Sequence, residues 1–134
     1  MSTSYGLDTN ILLRALLSDD DTQGKKAKNF LRKNCSVEHP GFINHIVLCE
    51  LVWTLRAAYK FPRQKICDAI RRILQTKELA VERPLTVWSA LRQFETGGAD
   101  FADYLIGQLN RELGHQTTAT FDREAGKSDL FLLL

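Results

Sequence analysis

The chain has 134 residues, 18 Lys and Arg against 16 Asp and Glu, with 44% hydrophobic and 25% charged residues. This length holds one domain over residues 1–134, and the net charge of +2 excludes a strongly basic nucleic-acid coat or an acidic tail while leaving local patches open. Cys35, Cys49 and Cys67, like His39, His45 and His115, show neither zinc-ligand spacing nor a disulfide framework.

The N-terminus lacks the basic stretch and apolar core of a signal peptide, and no apolar run reaches membrane-spanning length. A reduced, cytoplasmic setting without a membrane is expected. Tyr5-Gly6-Leu7 reads as a short strand ending at Asp8, and the apolar run from Ile11 to Leu17 reads as a helix. Asp19-Asp20-Asp21 supplies an N-cap for a helix whose segment Lys25 to Lys33 turns Ala27, Phe30 and Leu31 inward.

Pro40-Gly41 marks a turn and Phe42-Ile43 a strand, and Asn44 caps a helix from about His45 to Tyr59, with Cys49 as a buried thiol. After Pro62, Arg63 to Thr76 forms an amphipathic helix with Ile66, Ala69, Ile70, Ile73 and Leu74 inward. Leu79-Ala80-Val81 is a strand, and Pro84 opens a helix to about Glu95 that buries Val87, Leu91 and Phe94. Gly97-Gly98 breaks the chain before a helix from Phe101 to Leu113, with Gly114 as its C′ residue. Gln116 to Phe121 and the tail Leu130 to Leu133 read as strands. Short apolar strands alternating with longer helices predict an α/β domain with a mostly parallel sheet.

Four of the sixteen acids stand where a surface charge is out of place. Asp8 closes an apolar strand, Glu50 interrupts Val47-Leu48-Cys49-Glu50-Leu51-Val52-Trp53, Asp103 begins a buried helix, and Asp122 follows Thr118-Ala119-Thr120-Phe121. In a parallel sheet, ligands collect beyond the carboxyl ends of the strands, where Asp8 and Asp122 fall. Asp100, three residues before Asp103, is the candidate for a second-metal ligand.

Carboxylates crowded in a partly buried site repel one another. A divalent cation relieves that repulsion, and all-oxygen ligation suits Mg²⁺ or Mn²⁺ acting on a phosphodiester. Taken singly, each acid has an ordinary explanation. Asp8 and Asp122 can cap helices, Asp103 can favour a helix dipole, and Glu50 can pair with Arg14 or Arg56.

The segments Leu7 to Leu13, Glu50-Leu51-Val52-Trp53, Asp100 to Ile106 and Thr118 to Asp122 together resemble the ordered signature of PIN-domain ribonucleases, and most of all the VapC-type toxins of bacterial toxin–antitoxin systems. The resemblance implies an α/β/α sandwich and Mg²⁺- or Mn²⁺-dependent cleavage of single-stranded RNA or exposed RNA loops. It implies Asp8, Glu50, Asp103 and Asp122 as the acidic quartet and Asp100 as an extra acid. Thr9, Asn10 and Thr120 match supporting polar residues. It further implies homodimers and an antitoxin partner that blocks the site. The chain departs in ending soon after Asp122 and in carrying Asn44-His45 where a small hydroxyl residue is common.

Haloacid-dehalogenase-type phosphatases also begin with an Asp-x-Asp pair, but Asn10 stands where their general acid would be. A response-regulator receiver needs a Lys near the last strand and an acidic pair near the first, and neither is evident. A non-catalytic RNA- or protein-binding module of the same fold is the other reading, against which an acidic quartet facing phosphates argues. Arg14, Arg123 and Lys127 could steer RNA, and Trp53, Tyr59 and Phe61 are candidates for a dimer or antitoxin interface.

Overall fold

A computed structural model describes residues 4–17 and 21–134; Asp19 and Asp20 lie outside them. The described residues form six α-helices, one 3₁₀ turn and four three-residue strands. The chain divides after Glu82 into two compact units.

In the first unit, strands β1 (Gly41–Ile43) and β2 (Leu79–Val81) pair in parallel, Phe42 opposite Ala80. The extended segment at Gly6 bridges Phe42, with Leu7 N–H donating to the Phe42 carbonyl at 2.8 Å. Four helices accompany them: α1 (Thr9–Leu16), α2 (Thr22–Asn34), α3 (His45–Ala57) and α4 (Arg63–Gln75). Asp21 caps α2, accepting from Gly24 N–H at 2.6 Å. The Tyr5 and Phe30 rings meet edge to face at 5.2 Å, pinning the extended segment to α2. Ile43, Leu48, Leu51, Leu55, Ile66 and Ile70 are almost wholly buried. Gly41 is required where it stands, because a Cβ there would meet Leu7 and the Cys35 sulfur at 2.7 and 2.9 Å.

In the second unit, α5 (Pro84–Thr96) and α6 (Phe101–Glu112) pack on each other, with Phe94 and Phe101 edge to face at 5.8 Å. Strands β3 (Thr118–Thr120) and β4 (Phe131–Leu133) pair in parallel, and a 3₁₀ turn spans Ala125–Lys127. Arg83 enters α5 in the left-handed region at φ 42°. Its guanidinium donates to Glu112 at 2.8 Å, and Thr86 also donates to that carboxylate.

The helices fall within a few residues of their predicted bounds, and Gly114 takes the expected positive φ of 98°. The strands pair two by two rather than as one continuous described sheet. Three-residue strands supply few ladder bonds, so helix packing carries most of the burial. Phe30, Leu31, Leu74 and Cys49 are half-buried rather than enclosed.

Candidate active site

Asp8 stops the extended segment and starts α1. Its Oδ1 accepts from the amides of Asn10 at 3.1 Å and Ile11 at 3.3 Å. Two donors on one oxygen fix the carboxylate at the positive end of the helix dipole. The next residue, Thr9, donates its hydroxyl to Glu50 Oε1 at 2.8 Å. Within this unit the Asp8 cap and the Thr9–Glu50 hydrogen bond come from adjacent residues at the start of α1, and Asn10 lines a neighbouring cleft with Arg14 and Lys26.

The apolar surroundings of Glu50 in sequence predict burial, but Glu50 is exposed. Helical spacing places it on the arc of Ile46 and Trp53, which are 72% and 62% exposed, while Val47, Leu48, Leu51 and Val52 point inward. Glu50 accepts from Thr9, and Arg14 lies 3.7 Å from Asp21.

Asn44 caps α3 by accepting from Val47 N–H at 2.9 Å. His45 is held by Glu82, whose carboxylate accepts its backbone N–H at 2.9 Å and whose carbonyl accepts from Nε2 at 2.7 Å. A carbonyl only accepts, so Nε2 carries the proton. Glu82 had no signal in the sequence, because its partner lies 37 residues away.

In the second unit, Asp100 is the N-cap of α6 and Asp103 its N3 residue, together forming a capping box. Asp103 Oδ2 accepts from Asp100 N–H at 3.3 Å. The Asp103 carboxyl is raised above the usual range by burial, and further by the negative charges of Asp122 and Asp100, against a lowering by the Asp100 amide. Asp122 closes β3. Thr120 Oγ1 accepts from Asp122 N–H at 3.0 Å, and Asp122 Oδ1 accepts from Ala125 N–H at 2.8 Å. Thr120 thereby fixes the backbone from which Asp122 projects.

Asp103 therefore feels the charges of Asp122 and Asp100, and it alone of the proposed acids is half-buried rather than exposed. In neither unit do three His, Cys, Asp or Glu side chains gather closely enough to form a metal cage among the described residues. The available donors are carboxylate and hydroxyl oxygens, which suit hard divalent cations that keep several waters. Tyr104 carries no separate signal in the sequence, yet its hydroxyl accepts from Ala99 N–H at 3.2 Å and so holds the loop leading to Asp100.

Helix-covered parallel strands with acids at strand ends and helix caps define a class, and the chain belongs to it. The family model described as PIN domain matches residues 5–128. The chain is also similar to the VapC ribonuclease of Aquifex aeolicus (strain VF5), 25% identical over 121 residues, which cover 90% of this chain and 89% of that protein. No solved structure matches it. The four acid-bearing segments thus pointed to the right family. No helix among the described residues is long and apolar enough to cross a membrane.

Proposed function

We propose that the chain is a Mg²⁺- or Mn²⁺-dependent endoribonuclease whose catalytic carboxylates are Asp8, Glu50, Asp103 and Asp122. The observation that carries this reading is the PIN-domain match over residues 5–128, beside which the Asp103 carboxyl is raised by burial and by the nearby charges of Asp122 and Asp100. Negative charge concentrated on a half-buried group is unfavourable for the empty protein and favourable for a bound cation. Asp8, Asp100, Asp103 and Asp122 are the residues that would hold the metal. When bound, such a metal polarises a phosphate oxygen and lowers the pKa of a water.

The chain's own residues prepare that chemistry. The amides of Asn10 and Ile11 orient Asp8, and Thr120 and Ala125 orient Asp122. Thr9 orients Glu50, which would hold a proton released from the attacking water. A single PIN-domain match across residues 5–128 supports the reading as a single PIN-like α/β/α domain over residues 1–134.

Similarity to a VapC ribonuclease supports RNA as substrate and a role as the toxin of a toxin–antitoxin pair. With that role go a cognate antitoxin, a homodimer and a cytoplasmic location. The exposed Trp53 and Tyr59 are candidate contacts for either protein partner. Incubation with structured and single-stranded RNA, with Mg²⁺ or Mn²⁺ and with chelator, tests the enzyme. Metal-dependent internal cleavage is expected, and RNA binding without cleavage would favour a non-catalytic module. Expression of the chain alone is expected to arrest growth, with relief by a co-expressed neighbouring small protein. Unimpaired growth from folded protein would remove the toxin role and leave the nuclease.

A further inference from the structure

Within the second unit, the loop after α5 and the turn after β3 border a cleft of about 370 Å³, walled by Gln93, Gly97, Gly98, Tyr104, Glu124 and Lys127. Its walls adjoin three proposed acids in sequence. Gly98 stands two residues before Asp100, Tyr104 follows Asp103, and Glu124 stands two residues after Asp122.

The glycines let two walls of this cleft pack closely on their neighbours. A Cβ on Gly97 would collide with the Tyr104 hydroxyl, and one on Gly98 with the Glu124 carboxylate. Tyr104 is only 3% exposed, and its hydroxyl is fixed by the Ala99 amide. On another wall, Ser128 donates to Gln93 Oε1 at 2.8 Å, so Gln93 presents its amide nitrogen as donor. At the open side, Lys127 Nζ donates to Glu124 Oε1 at 3.0 Å, and both side chains remain largely accessible to solvent.

This wall chemistry selects its occupant. A phosphate is disfavoured, because Glu124 repels it and already neutralises Lys127. A base edge that carries donors beside an acceptor fits the carboxylate–ammonium pair. Guanine alone presents two adjacent donors, N1–H and the N2 amino group, next to the O6 acceptor. A carboxylate accepts both donors while an ammonium donates to O6. Unstacked bases of single-stranded RNA expose that edge.

We propose that this cleft is a base-recognition subsite that holds a guanine of the RNA beside the cleaved phosphate, read by Glu124 and Lys127. It rests on the ribonuclease reading above for its substrate, but its test does not need cleavage.

The test titrates ¹⁵N-labelled protein, without added metal, with guanosine, adenosine, cytidine and uridine 5′-monophosphates and with inorganic phosphate. Guanosine monophosphate is expected to shift the amides of Gly97, Gly98, Tyr104 and Lys127 and to bind at least about tenfold tighter than the other three. Glu124→Gln is expected to abolish that preference. Lys127→Met, at a largely exposed position, should weaken it without disturbing the fold. Equal affinity for all four nucleotides, identical shifts with phosphate alone, no shift at these amides, or an undiminished preference in both variants overturns the proposal. Guanine binding without RNA cleavage would instead keep the subsite and remove the nuclease reading.

Discussion

Thr9 donates its hydroxyl hydrogen to Glu50 Oε1 at 2.8 Å, linking residues 41 apart and tying the first turn of α1 to the outward face of α3. The bond lies beside Asp8, whose carboxylate starts the same helix. Thr9 thus orients Glu50 from the residue next to Asp8, and the hydroxyl is the part of Thr9 that does so.

Thr9→Val keeps the shape and removes the hydroxyl. Loss of one net hydrogen bond of about 0.5–1.5 kcal/mol corresponds to a roughly 2–10-fold fall in kcat if Glu50 must be oriented for the reaction. KM for RNA should stay close to wild type, and Thr9→Ser should recover most of the rate. Steady-state cleavage of a labelled oligoribonucleotide measures both, and unchanged kcat in the valine variant would separate Glu50 from the chemistry.

Asp103 gives a pH dependence with a definite sign. Its folded carboxyl titrates above the ordinary 3.8 because of burial, then Asp122 and Asp100. The folded protein binds the proton more tightly than the unfolded chain, so stability falls as pH rises from about 3.8 through the raised folded value and stays lowered above it. Asp103→Asn keeps a carbonyl oxygen to accept the Asp100 amide and removes the charge. Its thermal midpoint at pH 7 should exceed that of wild type, with the gain shrinking in acid. Mn²⁺ should raise the midpoint of wild type and raise that of the variant far less. Thermal scans across pH, with and without Mn²⁺, read both effects.

Glu112 gives the opposite sign. Hydrogen bonds from Thr86, Arg83 and Gln108 hold its carboxyl down to about 2 from 4.5. The stabilisation is present above pH 4.5 and is lost as pH falls through about 2. Glu112→Gln should cost on the order of 1 kcal/mol at pH 7 after allowance for solvent screening of a partly exposed group. The difference should vanish near pH 2. Urea unfolding at both pH values checks it, and RNA cleavage should scale with the folded fraction alone.

Local patterns were the readable part of this chain. Asn44 before an apolar run, Pro84 at a helix start and Gly114 at a helix end each act through neighbours a few residues away, and each stands where expected. Contacts that need the folded chain were not readable. The partner of Glu50 is 41 residues distant, and the role of Tyr104 depends on how the Gly97-Gly98 loop closes on its hydroxyl. Glu50 itself was misplaced for a physical reason: counting apolar neighbours implies burial, whereas the 3.6-residue period turns it outward with Ile46 and Trp53. Asp8 caps α1, Asp103 is the N3 residue of the α6 capping box and Asp122 accepts from the Ala125 amide, so their ordinary structural roles and their proposed catalytic ones coexist.

Asp8 offers the most direct measurement of the central claim. Asparagine caps a helix about as well as aspartate, so Asp8→Asn should leave α1 and the overall stability nearly unchanged while removing the charge. Wild type should cleave RNA with Mg²⁺ or Mn²⁺ and stop with chelator, and folded Asp8→Asn should lose at least about a hundredfold in rate, the scale on which a single stabilising or proton-transfer group acts. Equal cleavage by both proteins, with metal and with chelator alike, would contradict an acidic, metal-dependent ribonuclease site.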